Sequence, residues 1–245
     1  MDPRVQDFPV CLLAGGLSTR LRPITDSVPK SMVPVGDRPF LQLLLDHFGS
    51  LGFRRFVLAV SYRWEQIEAY FGDGARFGWR IEYSVEPEPL GTGGALLWAQ
   101  PLWRDAALVA NADTFLPEDW RAMLRTHREQ GLPATMALAR QDDCSRFGKV
   151  TVREGRVAGF EEKKPHAGPG WINGGVYVMS RQALEPFKRG TAFSLEKDVF
   201  PRLSGRIAAY TCDAGFADIG TMSSLEEFRK QMAGGLTPEK QRRPR

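Results

Sequence analysis

The stretch that decides the fold runs from Leu12 to Met32, LLAGGLSTRLRPITDSVPKSM. The apolar run Val10–Ala14 stops at Gly15-Gly16, and a loop of about a dozen and a half residues follows. Paired glycines after a strand let backbone N–H groups approach a ligand that side chains would block. Arg20, Arg22 and Lys30 bring three cations to the same segment. Amide donors beside fixed cations suit a polyphosphate, whose oxygens carry the charge to be neutralised. The spacing matches neither G-x-x-x-x-G-K-[ST] nor G-x-G-x-x-G, so this is not a Walker loop or a dinucleotide fingerprint. The competing reading is a plain strand-to-helix connection with incidental basic residues, but long structureless connections in compact domains tend to be functional.

Working outward, apolar runs and helical patterns alternate. Strands are expected at Val10–Ala14, Phe56–Ser61, Arg80–Val85, Ala107–Ala110 and Ala134–Ala139. Helices are expected at Phe40–Leu51, Trp64–Phe71, Gly93–Trp98 and Pro117–Gln130. Such alternation implies a parallel-rich sheet covered by helices. A hairpin, Lys149–Arg153 with Arg156–Glu161, then breaks the pattern, followed by a strand at Gly174–Ser180, a helix at Ser194–Leu203 and a strand at Arg206–Thr211. The fold class read from this is α/β: one Rossmann-like domain with a mixed, mostly parallel sheet flanked by helices. No repeat or linker marks a domain boundary. One domain is expected over 1–235, with halves of about 8–140 and 141–230, then a disordered basic tail at 236–245.

Ligands of open α/β sheets sit outside the carboxyl ends of the strands. Gly15-Gly16, Gly91–Gly94 and Asn111–Asp113 fall after the first, third and fourth predicted strands. Asp113, ending an apolar run, can point into that crevice and bind a hard cation that bridges phosphate oxygens. Strand-end aspartates also serve as turn formers and helix caps.

At 245 residues, with 42% hydrophobic and 25% charged residues, the chain has the profile of a soluble globular protein. Its net charge is +4, and PEKQRRPR at the end, with four basic residues and one acid, supplies three of those charges. The near-neutral body argues against a nucleic-acid partner. Cys11, Cys144 and Cys212 are widely spaced and fit neither a disulfide framework nor a zinc site. No long apolar segment opens the chain, so no membrane association is expected and the cytoplasm is the simplest location. His47, His127 and His166 lie apart and indicate no metal cluster.

The residues carry a resemblance. AGG-x-STRLRP-x-T with PKSMVPVGDRPFLQ resembles the amino-terminal signature of the sugar nucleotidyltransferases. EPEPLGTGGAL, NADTF, FEEKK, INGGVYV and FADIGT follow in that family's order, so the likeness covers about Val10 to Phe228. It implies a GT-A-type fold, a nucleotide-binding first half and a sugar-binding second half, with a nucleoside triphosphate and a sugar 1-phosphate as partners. It implies that Leu13, Ala14, Gly15 and Gly16 cradle the nucleotide, with Glu86, Gly91 and Thr92 on the base side and Asn111 near base or ribose. Arg20 would hold the triphosphate, Lys30 would lie near the α-phosphate, and Asp113 and Asp218 would hold Mg²⁺. Glu162 and Lys163 would bind the sugar phosphate, Lys164 leaving that register open by one. Asn173, Gly174 and Gly175 would line the sugar side.

By the same resemblance, a sugar phosphate oxygen attacks the α-phosphorus in line, with no covalent enzyme intermediate. STRLRP, PLGTGGAL, INGGVY and FSLEKDVFP look most like the D-glycero-α-D-manno-heptose 1-phosphate guanylyltransferase branch, which supplies capsule and surface polysaccharides. Mannose-1-phosphate guanylyltransferases and short uridylyl- or thymidylyltransferases share much of this pattern and stay open. So do a nucleotide-sugar-binding pseudoenzyme and a homodimeric assembly.

Overall fold

The computed structural model describes residues 3–16, 19–161 and 163–234. Glu162 and the tail 236–245 lie outside the described residues. Nine strands form one sheet: β1 (Val10–Leu13), β2 (Arg55–Val60), β3 (Arg80–Val85), β4 (Ala106–Asn111), β5 (Ala134–Gln141), β6 (Val150–Arg153), β7 (Arg156–Phe160), β8 (Gly170–Ser180) and β9 (Ile207–Cys212). Their spatial order is β3-β2-β1-β4-β8-β5-β9-β7-β6. Strands β1 to β6 and β9 point one way; β7 and β8 point the other. The mixed, mostly parallel α/β sheet expected from the alternation is therefore present. β8, from the second half, is inserted between β4 and β5 of the first. That insertion brings the two halves together at one strand end.

Among the described residues, five α-helices of eight or more residues cover the sheet: α1 (Phe40–Ser50), α2 (Trp64–Phe71), α3 (Gly91–Ala99), α4 (Trp120–Gln130) and α5 (Met222–Ala233). Side chains alternate across a strand, so β1 serves both faces. Val10 and Leu12 pack with Phe40, Ile67, Trp120 and Phe228 from α1, α2, α4 and α5. Cys11 faces the opposite core, with Leu96 of α3 and Leu195, Val199 and Phe200. Cover on both faces explains why β1 reads as an unbroken apolar run. The three cysteines are buried and free, and burial pushes the Cys11 thiol up to about 12.

Local chemistry sets the helix limits. Expected from Pro117, α4 instead starts at Trp120, because Asp119 caps it by accepting from the Arg121 N–H at 3.1 Å. It stops at Gly131, whose φ of 58° needs glycine. The helix expected at Ser194–Leu203 does not form as one continuous α-helix. In its place a π-helical turn, Leu195–Val199, meets a 3-10 turn, Pro201–Leu203. There the Val199 and Phe200 N–H groups donate five residues back, to Ser194 at 3.3 Å and Leu195 at 2.8 Å, and Pro201 has no N–H to continue a ladder. Among the described residues, no helix is long and apolar enough to cross a membrane.

Candidate active site

Strand order reverses between β1 and β4, the point at which open α/β sheets bind ligands. A cavity of about 300 Å³ opens there, at the carboxyl ends of β1, β3 and β4. Leu13, Ala14, Gly15 and Gly16 form its floor after β1. Glu86, Gly91 and Thr92 form one wall, and Lys30, Asn111 and Asp113 the other. Backbone bonds lock the floor: the Ala14 N–H donates to Ala59 at 2.8 Å and the Ala112 N–H to Leu13 at 3.2 Å.

The two glycines of the floor have different reasons. A Cβ on Gly15 would lie 2.6 Å from Glu86 Oε1 and 3.2 Å from Ser61 Cβ. Gly15 is required for space, and the space is filled by the Glu86 carboxylate. A Cβ on Gly16 would meet nothing within 4 Å, so that glycine faces the open cavity. Glu86 is buried, and its Oε2 accepts from the Leu90 N–H at 2.9 Å. Burial raises its pKa, and the Leu90 bond opposes the rise.

Lys30 enters from a 3-10 turn, Lys30–Met32, after Pro29. Its ammonium, largely buried, donates to Asp113 Oδ2, while the Thr114 hydroxyl donates to Oδ1 at 3.2 Å. Asp218 arrives from far along the chain. Ala217–Asp218 pair antiparallel with Thr114–Phe115, and the Ile219 N–H donates to the Asp113 carbonyl at 3.0 Å. This two-residue ladder puts Asp218 opposite Thr114, the residue after Asp113. The Gly220 N–H holds Asp218 Oδ1. Among the described residues, no group of three or more His, Cys, Asp or Glu is arranged to hold a metal ion. Mg²⁺ does not need one, because it commonly binds through one or two carboxylates plus substrate phosphates. The donor set fits that ion.

The second half contributes at the β8 insertion. The ladder between β8 and β5 is irregular from Asn173 to Tyr177. Asn173 Oδ1 accepts from the Gly175 N–H at 3.0 Å, and Gly175 has φ 72°. A Cβ there would come within 3.2 Å of Thr114 Oγ1 and 3.3 Å of Asn111 Nδ2, so this turn lies against the cavity wall. Gly174 is buried, with room for no side chain against the Ala137 carbonyl and Leu116. Lys163 is exposed, and neither it nor Asn173 lines the cavity. Arg20 is exposed on the turn Thr19–Leu21 and also lies outside the lining, while Arg22 pairs with Asp26 at 3.1 Å.

Ser31 was not among the expected site residues, yet it lines the cavity. It is 2% exposed and its hydroxyl has no partner. Its place beside Lys30 was the available signal. Asn111 Oδ1 is likewise buried without a hydrogen-bond partner.

A family model described as nucleotidyl transferase matches residues 10–234. The chain is 36% identical to the mannose-1-phosphate guanylyltransferase of Mycobacterium tuberculosis, over 93% of its own length but 65% of that protein's. It is 34% identical to the D-glycero-alpha-D-manno-heptose 1-phosphate guanylyltransferase of Aneurinibacillus thermoaerophilus, covering 90% of this chain and 96% of that one. The crystal structure of HddC from Yersinia pseudotuberculosis complexed with GMP-PN superposes with a TM-score of 0.82 at 29% identity, covering 92% of this chain and 99% of that one. With a match spanning both halves of the sheet, and the cavity where the fold places its ligands, the chain belongs to the nucleotidyl transferase family.

Proposed function

We propose that this chain transfers GMP from GTP to D-glycero-α-D-manno-heptose 1-phosphate, releasing pyrophosphate. Glu86 carries the choice of base. It is a buried carboxylate on the cavity wall, held from behind by the Leu90 N–H. An ionised carboxylate only accepts. Guanine offers two adjacent donors, N1–H and the N2 amino group, whereas uracil and thymine offer one N–H between two carbonyls. Glu86 therefore favours guanine and repels the pyrimidine carbonyls. The heptose is supported by relatives of that name, 34% identical, of which this chain covers 96% of the length. That substrate would place the enzyme in the cytoplasm, upstream of capsule or surface-polysaccharide assembly.

The sugar phosphate is already an anion, so its attack on the α-phosphorus needs no general base. Catalysis is then positioning and charge stabilisation. Lys30 would neutralise charge on the α-phosphoryl oxygens, and Arg20 would hold the leaving pyrophosphate. Asp113 and Asp218 would hold Mg²⁺, which when bound supplies positive charge to the phosphates. The Lys30–Asp113 ion pair keeps the ammonium oriented in the cavity. Asn173 and Gly175, beside Asn111, mark the acceptor side, and Glu162 and Lys163 would close it.

A mannose 1-phosphate acceptor is the second reading, favoured by the 36% identity to the mycobacterial enzyme. The base assignment is tested by initial rates with GTP, UTP and dTTP for wild type and Glu86→Gln. Wild type should prefer GTP, and the variant should lose at least about tenfold of that preference, one hydrogen bond to a charged group. An unchanged preference in the variant would remove Glu86 from base recognition.

A further inference from the structure

The segment FSLEKDVFP, Phe193–Pro201, follows β8 and belongs to the half assigned to the sugar, yet it is built onto the nucleotide wall. Three glycines of LGTGG make room for it. A Cβ on Gly91 would lie 2.7 Å from the Phe193 carbonyl, and one on Gly94 2.6 Å from the Thr191 carbonyl. A Cβ on Gly93 would collide with the Phe193 ring. These close approaches serve the protein's own chain. The N–H groups of Gly93 and Gly94 donate to the Phe193 carbonyl at 3.0 and 3.2 Å, and the Phe193 N–H donates back to Leu90 at 2.9 Å. Part of the amino end of α3 is thereby taken up by the protein's own chain.

Thr92 is the centre of the contact. Its hydroxyl accepts from the Leu195 N–H at 2.9 Å and donates to Glu196 Oε2 at 2.9 Å. Ser194 donates to that same oxygen at 2.9 Å. Two further anchors hold the segment. The Phe193 ring stacks on Phe187 at 4.3 Å, and the Arg189 guanidinium lies 4.0 Å over the Trp98 ring of α3. The Thr92 hydroxyl thus spends its one donor and one of its two lone pairs on the segment, although Thr92 lines the cavity.

We propose that Glu196 is a positioning residue for the nucleotide. By fixing the Thr92 hydroxyl it holds the turn Leu90–Thr92, so that one half of the chain sets the shape of the other half's binding wall. The inference rests on the reading that this cavity takes the nucleotide. The wall meets the ground state and the transition state alike, so loosening it removes uniform binding, which raises KM and spares kcat.

The test is steady-state kinetics on the full chain with GTP and a sugar 1-phosphate, using Glu196→Ala, Glu196→Gln, Thr92→Val and Thr92→Ser. Glu196→Ala and Thr92→Val should each raise the KM for GTP about three- to tenfold, the size of one or two lost hydrogen bonds. The kcat and the KM for the sugar phosphate should stay within about twofold, because the wall's contact is with the nucleotide alone. Glu196→Gln keeps an acceptor and Thr92→Ser keeps the hydroxyl, so both should return most of the affinity. The double variant Thr92→Val/Glu196→Ala should be no worse than Thr92→Val alone. An unchanged KM for GTP in Glu196→Ala, a loss confined to kcat, or failure of the conservative variants to rescue would overturn the proposal. Failure of the functional reading is separate: wild type itself would then bind no GTP by calorimetry.

Discussion

Replacing Gly15 with alanine tests whether the cavity floor is shaped by Glu86. Gly15 does not sit in the left-handed region, so backbone strain is not at issue. The new methyl would fall 2.6 Å from Glu86 Oε1, and the Ser61 backbone nitrogen at 3.3 Å blocks retreat on the other side. Glu86 must swing away and give up the Leu90 bond, a loss of about 1.5–3 kcal/mol for a charged acceptor. Alanine returns about 0.4–1 kcal/mol by stiffening the unfolded chain. The net cost of about 0.5–2.6 kcal/mol lowers Tm by about 1–10 °C in a chain this long. Activity should fall further, because the displaced carboxylate is the proposed base reader: kcat/KM for GTP should drop about ten- to a hundredfold. Calorimetry and initial rates measure the two effects. In a Glu86→Ala background the Gly15→Ala change should add little to the kinetic loss. Wild-type Tm together with wild-type kcat/KM in Gly15→Ala would refute the reasoning, as would fully additive kinetic losses.

His127 makes stability depend on pH. It is buried, with Nδ1 2.9 Å from the Thr135 hydroxyl and Nε2 3.0 Å from that of Ser180, and burial holds its pKa down to about 4. The unfolded imidazole titrates near ~6.5, so stability present above that pH is lost as pH falls toward 4, by up to about 3 kcal/mol. Urea titrations from pH 7.5 to 4.5 should therefore show a steeper fall for wild type than for His127→Gln; parallel curves would contradict this. Lys30→Gln should lower kcat about a hundred- to a thousandfold with little change in the KM for GTP, as read by single-turnover rates. Asp113→Asn should raise the Mg²⁺ concentration for half-maximal activity at least about tenfold, and Asp218→Asn should do the same, a shared shift that a mere turn former would not give.

Much of the fold was legible because periodicity reports burial. Trp64–Phe71 and Arg80–Val85 form over the expected residues, since each is bounded by turn residues and faces a core. Ser194–Leu203 has helical spacing of apolar residues at 195, 199 and 203, but the Phe200 N–H bonds five residues back to Leu195 and Pro201 has no N–H to carry an α-helical ladder on. The α5 helix is not among the expected elements, although Thr221 and Ser224 form its capping box and Leu225 and Phe228 its buried stripe. At the site, Gly15, Lys30, Glu86 and Asp113 fall together as the strand-end rule requires. The pairing of Asp113 with Asp218 depends on a ladder of two residues, too short to leave a pattern in sequence. The glycines of LGTGG could be recognised as close-approach positions, but what approaches them, Phe193, lies about a hundred residues away.

The most direct test is pyrophosphate release by the purified chain with Mg²⁺ and GTP, comparing D-glycero-α-D-manno-heptose 1-phosphate with mannose 1-phosphate, and with UTP and dTTP as alternative donors. The account predicts release that requires both substrates and is fastest with GTP and the heptose. No release from any pair, by a protein that still binds GTP, would contradict it.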